Sequence, residues 1–107
     1  MITFDDFKKV EMKVGEILEC EKVEGSDKLL KSQVKVGDEV RQIVSGIASF
    51  YSPEDMAGKK VTVVTNLKPA KIRGVLSEGM ILAAGDGKKV LSVVEIDKEV
   101  NSGEEVC

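Results

Sequence analysis

Apolar and polar residues alternate most regularly between positions 30 and 36, where Leu30, Ser32, Val34 and Val36 share one parity and Lys31, Gln33 and Lys35 the other. A period of two with one apolar face predicts a half-buried strand. Gly37-Asp38 makes a turn into EVRQIVSGI, so an antiparallel hairpin is expected, with Arg41 and Lys31 on its solvent-facing surface and its second strand ending near Ser45-Gly46. Upstream, Met12, Val14, Leu18 and Cys20 oppose Lys13, Glu19 and Glu21, which predicts another strand. Gly15 interrupts it and Glu16 falls on the apolar parity, so a bulge or sharp bend is expected at Gly15.

Helical signals are few and short. Thr3 with Asp6 resembles a capping box, and Phe4, Phe7 and Val10 follow at the spacing of packing residues, predicting a short N-terminal helix. Ser26 is expected to cap one helical turn through Asp27 and Lys28. Ser52, Pro53, Glu54 and Asp55 combine cap, first-turn proline and first-turn acids, with Gly58 as the stop. Two apolar runs follow, VTVV at 61–64 and MILAA at 80–84. The order strand, strand, strand, helix, strand, strand predicts an all-β protein, a five-stranded OB-fold barrel with short helices, forming one domain over residues 1–107. A further strand at Val90–Val94 and a turn at Asn101–Gly103 form a C-terminal extension that must cover either the barrel's own flank or a second copy, and a homodimer is the expectation.

Charge changes the picture. The chain carries 16 bases and 19 acids, yet residues 61–85 hold Lys68, Lys71 and Arg73 against Glu78 alone, net +2, while residues 1–60 are net −2 and residues 86–107 net −3. Asn66, Pro69 and Gly74 punctuate this basic stretch, placing its cations on a connection between two strands. A segregated cationic loop on an acidic protein is a candidate anion site, because local charge sets the field a ligand meets at short range.

What is missing narrows the chemistry. With no histidine, Ser-His and Cys-His nucleophiles and the commonest zinc ligand are excluded. Cys20 and Cys107 lack metal-ligand spacing, and no phosphate-cradling GxxxxGK[ST] occurs. A non-catalytic binding module needing neither metal nor cofactor is therefore expected. No apolar run approaches the ~20 residues of a membrane span, and no signal or transit segment is visible, which points to the cytoplasm. Four aromatics, Phe4, Phe7, Phe50 and Tyr51, are few for a single-strand binder that stacks bases. Lys, Arg, Asn and Ser instead suit phosphates and 2′-hydroxyls, and hence folded RNA.

The segments DFKKVEMKVGEI, SDKLLKSQVKVG, RQIVSGIASFYSPEDMAGKKV and VTNLKPAKIRGVLSEGMILAA, in that order over nearly the whole chain, resemble the tRNA-binding domain family. Its members are the C-terminal appendage of many methionyl-tRNA synthetases, free-standing dimeric tRNA-binding proteins, and related assembly factors and cytokine precursors. The resemblance implies an OB-fold that binds structured tRNA with little sequence preference and dimerises through its C-terminal extension. It also implies the catalytic part of a methionyl-tRNA synthetase as a partner. The family's Asn-x-Lys-Pro element falls on Asn66 and Lys68, its following basic positions on Lys71 and Arg73, its Ser-x-Gly-Met element on Ser77 and Met80, and the polar end of the third strand on Ser45. Glu24, Gly25 and Ser26 stand where relatives commonly have Pro-Asn-Ala, and Ala70 where a base often follows the proline; both departures remove charge or donors. Export-associated chaperones resemble the chain too, making a protein-interacting homodimer the alternative, but they tend to lack the Gly-Met present here at Gly79 and Met80.

Overall fold

A computed structural model describes all 107 residues. In chain order the elements are α1 (Phe4–Phe7), β1 (Met12–Lys22), β2 (Leu30–Val36), β3 (Glu39–Ser45), α2 (Pro53–Met56), β4 (Lys60–Val64), β5 (Ala70–Ile72), β6 (Val75–Ser77), β7 (Met80–Ile81), β8 (Ala83–Gly85), β9 (Leu91–Val93) and β10 (Glu105–Val106). An antiparallel sheet in the order β3-β2-β1-β4-β7 curls around the core, with β10 added to β1. The architecture is all-β and OB-like, as the alternation predicted.

The curl originates in β1. Its first half pairs with β4, from Met12–Val64 to Glu16–Lys60, and its second half with β2, from Glu16–Lys35 to Lys22–Leu30. Around the changeover, Val34 and Val63 from the two flanking strands close over Gly15, where a Cβ would lie 2.6 Å and 2.7 Å from their methyl groups. Glycine is needed there for close approach. The bulge expected at Gly15 lies instead at Leu18, where the register slips between Ile17 and Glu19. The extra residue turns Leu18 outward to 45% exposure while Ile17 and Cys20 both stay on the core side.

β2 carries the inner face that its pattern promised, with Leu30, Ser32, Val34 and Val36 all buried. With Ile17, Ile43, Ile47, Met56, Val61, Val63, Ile81 and Val93 its apolar members form a single cluster. α2 closes one end of it through Met56, held by a reciprocal cap between Ser52 and Asp55. The Ser52 N–H that donates to the Asp55 carboxylate, with the Ser52 hydroxyl beside it, lowers the carboxyl's pKa. α1 is capped in the same way by Thr3 and Asp6 but buries nothing. Phe4 is 73% and Phe7 39% exposed, so their spacing marks an uncovered face rather than internal packing. Near Ser26 the chain bends without a helical turn, the serine hydroxyl accepting from the Lys28 N–H at 3.3 Å.

The run MILAA is two strands, not one. At Leu82 the chain leaves β4 for β9: the Leu82 N–H donates to Thr62, the Thr62 N–H to Val94, and the Val94 N–H to Leu82. This ring of three bonds joins β4, β7–β8 and the tail. The tail then continues along β4 through the Ile96 N–H to the Lys60 carbonyl and the Lys59–Glu95 ion pair. Of the two coverings expected for the extension, it takes the barrel's own flank, ending in the unforeseen β10 beside Met12 and Lys13.

Candidate nucleic-acid interface

The basic stretch leaves the barrel at Val64 and returns at Met80, a directly paired couple. Between them the connection is itself folded. β5 and β6 form a three-pair hairpin whose turn is Arg73-Gly74, both in the left-handed region at φ 53° and 77°. A right-twisted two-residue hairpin demands such turns, and glycine adopts that conformation without strain. Arg73 is thereby displayed at the tip, and Lys71 stands on β5 with its neighbours Ala70 and Ile72 directed to the opposite face.

Two of the candidate polar residues hold this excursion in place. The Asn66 amide donates to the Lys9 carbonyl at 2.7 Å, and its oxygen accepts from the Glu11 N–H at 2.9 Å. Ser77 is only 5% exposed, its hydroxyl accepting from the Val44 N–H at 3.0 Å and donating to the Gly79 carbonyl at 3.1 Å. These bonds tie the two ends of the excursion to the N-terminal segment and to β3. The Glu78 N–H adds a 2.7 Å bond to Gln42, so the far end of the excursion is stitched to β3.

The cations divide into two sets. Lys31 lies 2.7 Å from Glu21, and Arg41 2.8 Å from Glu39. Arg41 also donates to the carbonyls of Thr65 and Glu78, making it a strut between β3 and the excursion. Both stand on the surface as expected, Lys31 on the outward parity of β2, but each is half-buried against an acid. By contrast Lys68, Lys71 and Arg73 are exposed and form no ion pair. Arg73 overlooks a groove of about 300 Å³ that also contains Lys31, Glu21 and Glu24.

Lys68 borders a larger cleft, of about 540 Å³, between the end of β3 and the excursion. Ser45, Ser77 and Met80 line it with Lys68, so four of the nine residues singled out in the sequence meet there. Its walls are mainly apolar: Ile47, Leu67, Ile72, Leu82 and Leu91. Sequence reasoning missed them because they come from five separate segments and each looks like an ordinary core residue. The signal was Leu67, an apolar residue between Asn66 and Lys68 in an otherwise polar turn. A surface combining free cations with an apolar cleft can take a polyanion that also carries exposed apolar faces.

The model of the family described as "Putative tRNA binding domain" matches residues 12–105. The chain belongs to this tRNA-binding domain family. It is 58% identical over 105 residues to a methionine–tRNA ligase of Bacillus anthracis, covering 98% of this chain and 16% of that protein. The chain thus spans about a sixth of the length of the curated relatives it matches. Among solved structures, a MetRS-related protein from Pyrococcus horikoshii superposes with a TM-score of 0.94 at 39% identity, covering 100% of this chain and 98% of the other. The chaperone CsaA of Bacillus anthracis superposes with a TM-score of 0.90 at 21% identity, covering 100% and 99%; at that identity it shows the shared fold alone. No helix of the chain is long and apolar enough to cross a membrane.

Proposed function

We propose that residues 1–107 act as one tRNA-binding unit that engages the phosphate backbone of folded tRNA through Lys68, Lys71 and Arg73, with little sequence preference. The observation that carries this reading is the division of charge. Residues 61–85 are net +2 and present Lys68, Lys71 and Arg73 exposed and unpaired on one excursion, whereas the rest of the chain is net acidic and its Lys31 and Arg41 are paired with acids. Ser45 sits at the rim of the adjoining cleft, and Asn66 and Ser77 hold the backbone that presents the cations. In this reading the unit raises the local concentration of tRNA for the catalytic part of a methionyl-tRNA synthetase in the cytoplasm. It also works as a homodimer, supported by the uncovered apolar face of Phe4, Phe7 and Val10 beside Val106.

The test is binding of mixed tRNA across a salt series, for the wild type and a Lys68→Ala, Arg73→Ala double variant, with unstructured RNA of equal length as control. Loss of two phosphate contacts lowers the slope of log K against log salt by about two and weakens all tRNAs alike. Equal slopes for the two proteins, or no preference for tRNA over the control, would overturn the reading.

A further inference from the structure

The cleft beside Lys68 has no role in a purely electrostatic grip. It is an open concavity of about 540 Å³, within the roughly 300–1,000 Å³ range of small-ligand sites. Leu67 and Met80 stand at its mouth, 47% and 46% exposed, and Ile72, Leu82 and Leu91 continue the apolar surface inward. Each is fixed from behind. Leu67 adjoins Asn66, latched to Lys9 and Glu11, Met80 pairs with Val64, and the backbone of Leu82 belongs to the ring of bonds at Thr62. Large apolar side chains left at the mouth of a braced concavity mark a surface that meets a ligand.

The charge at the rim says which ligand. Lys68 lines the same cleft, is exposed and has no acidic partner, and none of the cleft's lining residues is acidic. A flat apolar body attached to an anion matches that combination. In RNA this is an unstacked nucleobase with its own phosphate, and single-stranded or splayed bases are the parts of a folded RNA that proteins take up individually. We infer that the cleft receives one unstacked nucleobase of the bound RNA, its face against Leu67 and Met80 and its adjacent phosphate at Lys68. The inference rests on the tRNA-binding reading and adds a non-ionic contact to it. The scarcity of aromatics is met here by aliphatic and thioether side chains, which pack against a π-face without themselves being aromatic.

The decisive experiment follows the ε-methyl resonance of Met80 in ¹³C-methyl-methionine-labelled protein as mixed tRNA is added. The wild type must first bind tRNA, which separates failure of the tRNA reading from failure of this one. A base stacked on Met80 moves its methyl upfield by ring current, while the fully buried Met56 stays still and serves as internal reference. In parallel, Met80→Ser lowers tRNA affinity about tenfold at every salt concentration with an unchanged salt slope, and Met80→Leu restores it. Met80 is half-exposed, and unfolding curves of both variants check that they fold. Bound tRNA with no ring-current shift and an affinity for Met80→Ser within twofold of wild type would overturn the inference. So would an unstructured apolar peptide that displaces nothing of the tRNA yet shifts Met80, which assigns the cleft to protein instead.

Discussion

The β2–β3 and β5–β6 hairpins have the same plan, two antiparallel strands joined by a two-residue turn, and both carry lysine and arginine. They differ in what stands behind them. β2–β3 forms seven pairs, with one whole face of β2 buried in the core, and its Lys31 and Arg41 are held by Glu21 and Glu39 while Lys35 stays exposed. β5–β6 forms three pairs, buries only Ser77, and leaves Lys71 and Arg73 unmatched. Identical residue types therefore stand in different settings: Lys31 and Arg41 are tied to acids on the frame, whereas Lys71 and Arg73 on the excursion have no acid partner.

Leu30, on the frame hairpin and fully buried, breaks the comparison most strongly. Leu30→Ala is expected to cost about 3 kcal/mol of stability by lost burial and a residual cavity, seen as a lower urea midpoint, whereas Lys68→Ala on the excursion leaves that midpoint unchanged. A fall shared equally by both would mean that the excursion is part of the core.

Arg41 tests the middle ground. Removing it leaves the buried Thr65 carbonyl without that donor and Glu39 without its counter-charge, so Arg41→Ala is expected to destabilise by about 1–2 kcal/mol. Its salt slope for tRNA should stay that of the wild type, in contrast to Lys68→Ala. A reduced slope would return Arg41 to the contact set.

The smallest effect concerns the β8–β9 hairpin, whose tip carries Lys88 and Lys89, also without ion pairs. There Asp86 accepts the N–H groups of Lys88, Lys89 and Val90 at 2.8, 2.9 and 3.1 Å, and these bonds hold its carboxyl below the ordinary 3.8. A depressed pKa means the ionised form is favoured by the fold. The loop order it confers is present above about pH 4 and lost as pH falls through the lower folded value. Amide exchange at Lys88 and Lys89 should stay constant from neutral pH to about pH 4, after correction for intrinsic rates, and quicken below it. Quickening already near neutral pH would remove Asp86 as the cause.

How much of this could be read in advance depended on how many constraints each segment carries. β2 was legible because one face is buried along its full length. The two capped helices were legible because Ser52-Pro53-Glu54-Asp55 and Thr3 with Asp6 satisfy local backbone donors irrespective of tertiary context. β5 and β6 were hidden because three-residue strands leave almost no period, and Pro69 and Gly74 suggested an irregular loop. Leu18 and Leu82 were misread for a shared reason, since a bulge and a strand switch change parity without changing composition. Of the candidate site, the free cations could be named from charge alone. The internal duties of Asn66, Ser77 and Arg41 could not, because these bonds span from 24 to 57 residues of sequence.

The direct pairing of Val64 with Met80 has an evolutionary consequence. Everything from residue 65 to 79 departs from and returns to one point on the frame, so its length scarcely affects the entropy of folding; doubling such a loop costs only about 0.6 kcal/mol. Insertions, deletions and new sequences can therefore be tried at the β5–β6 turn, away from the latches at Asn66, Ser77 and Glu78, while the sheet remains intact. One lineage can exchange its clientele by rewriting a single detour, leaving the architecture it hangs from untouched.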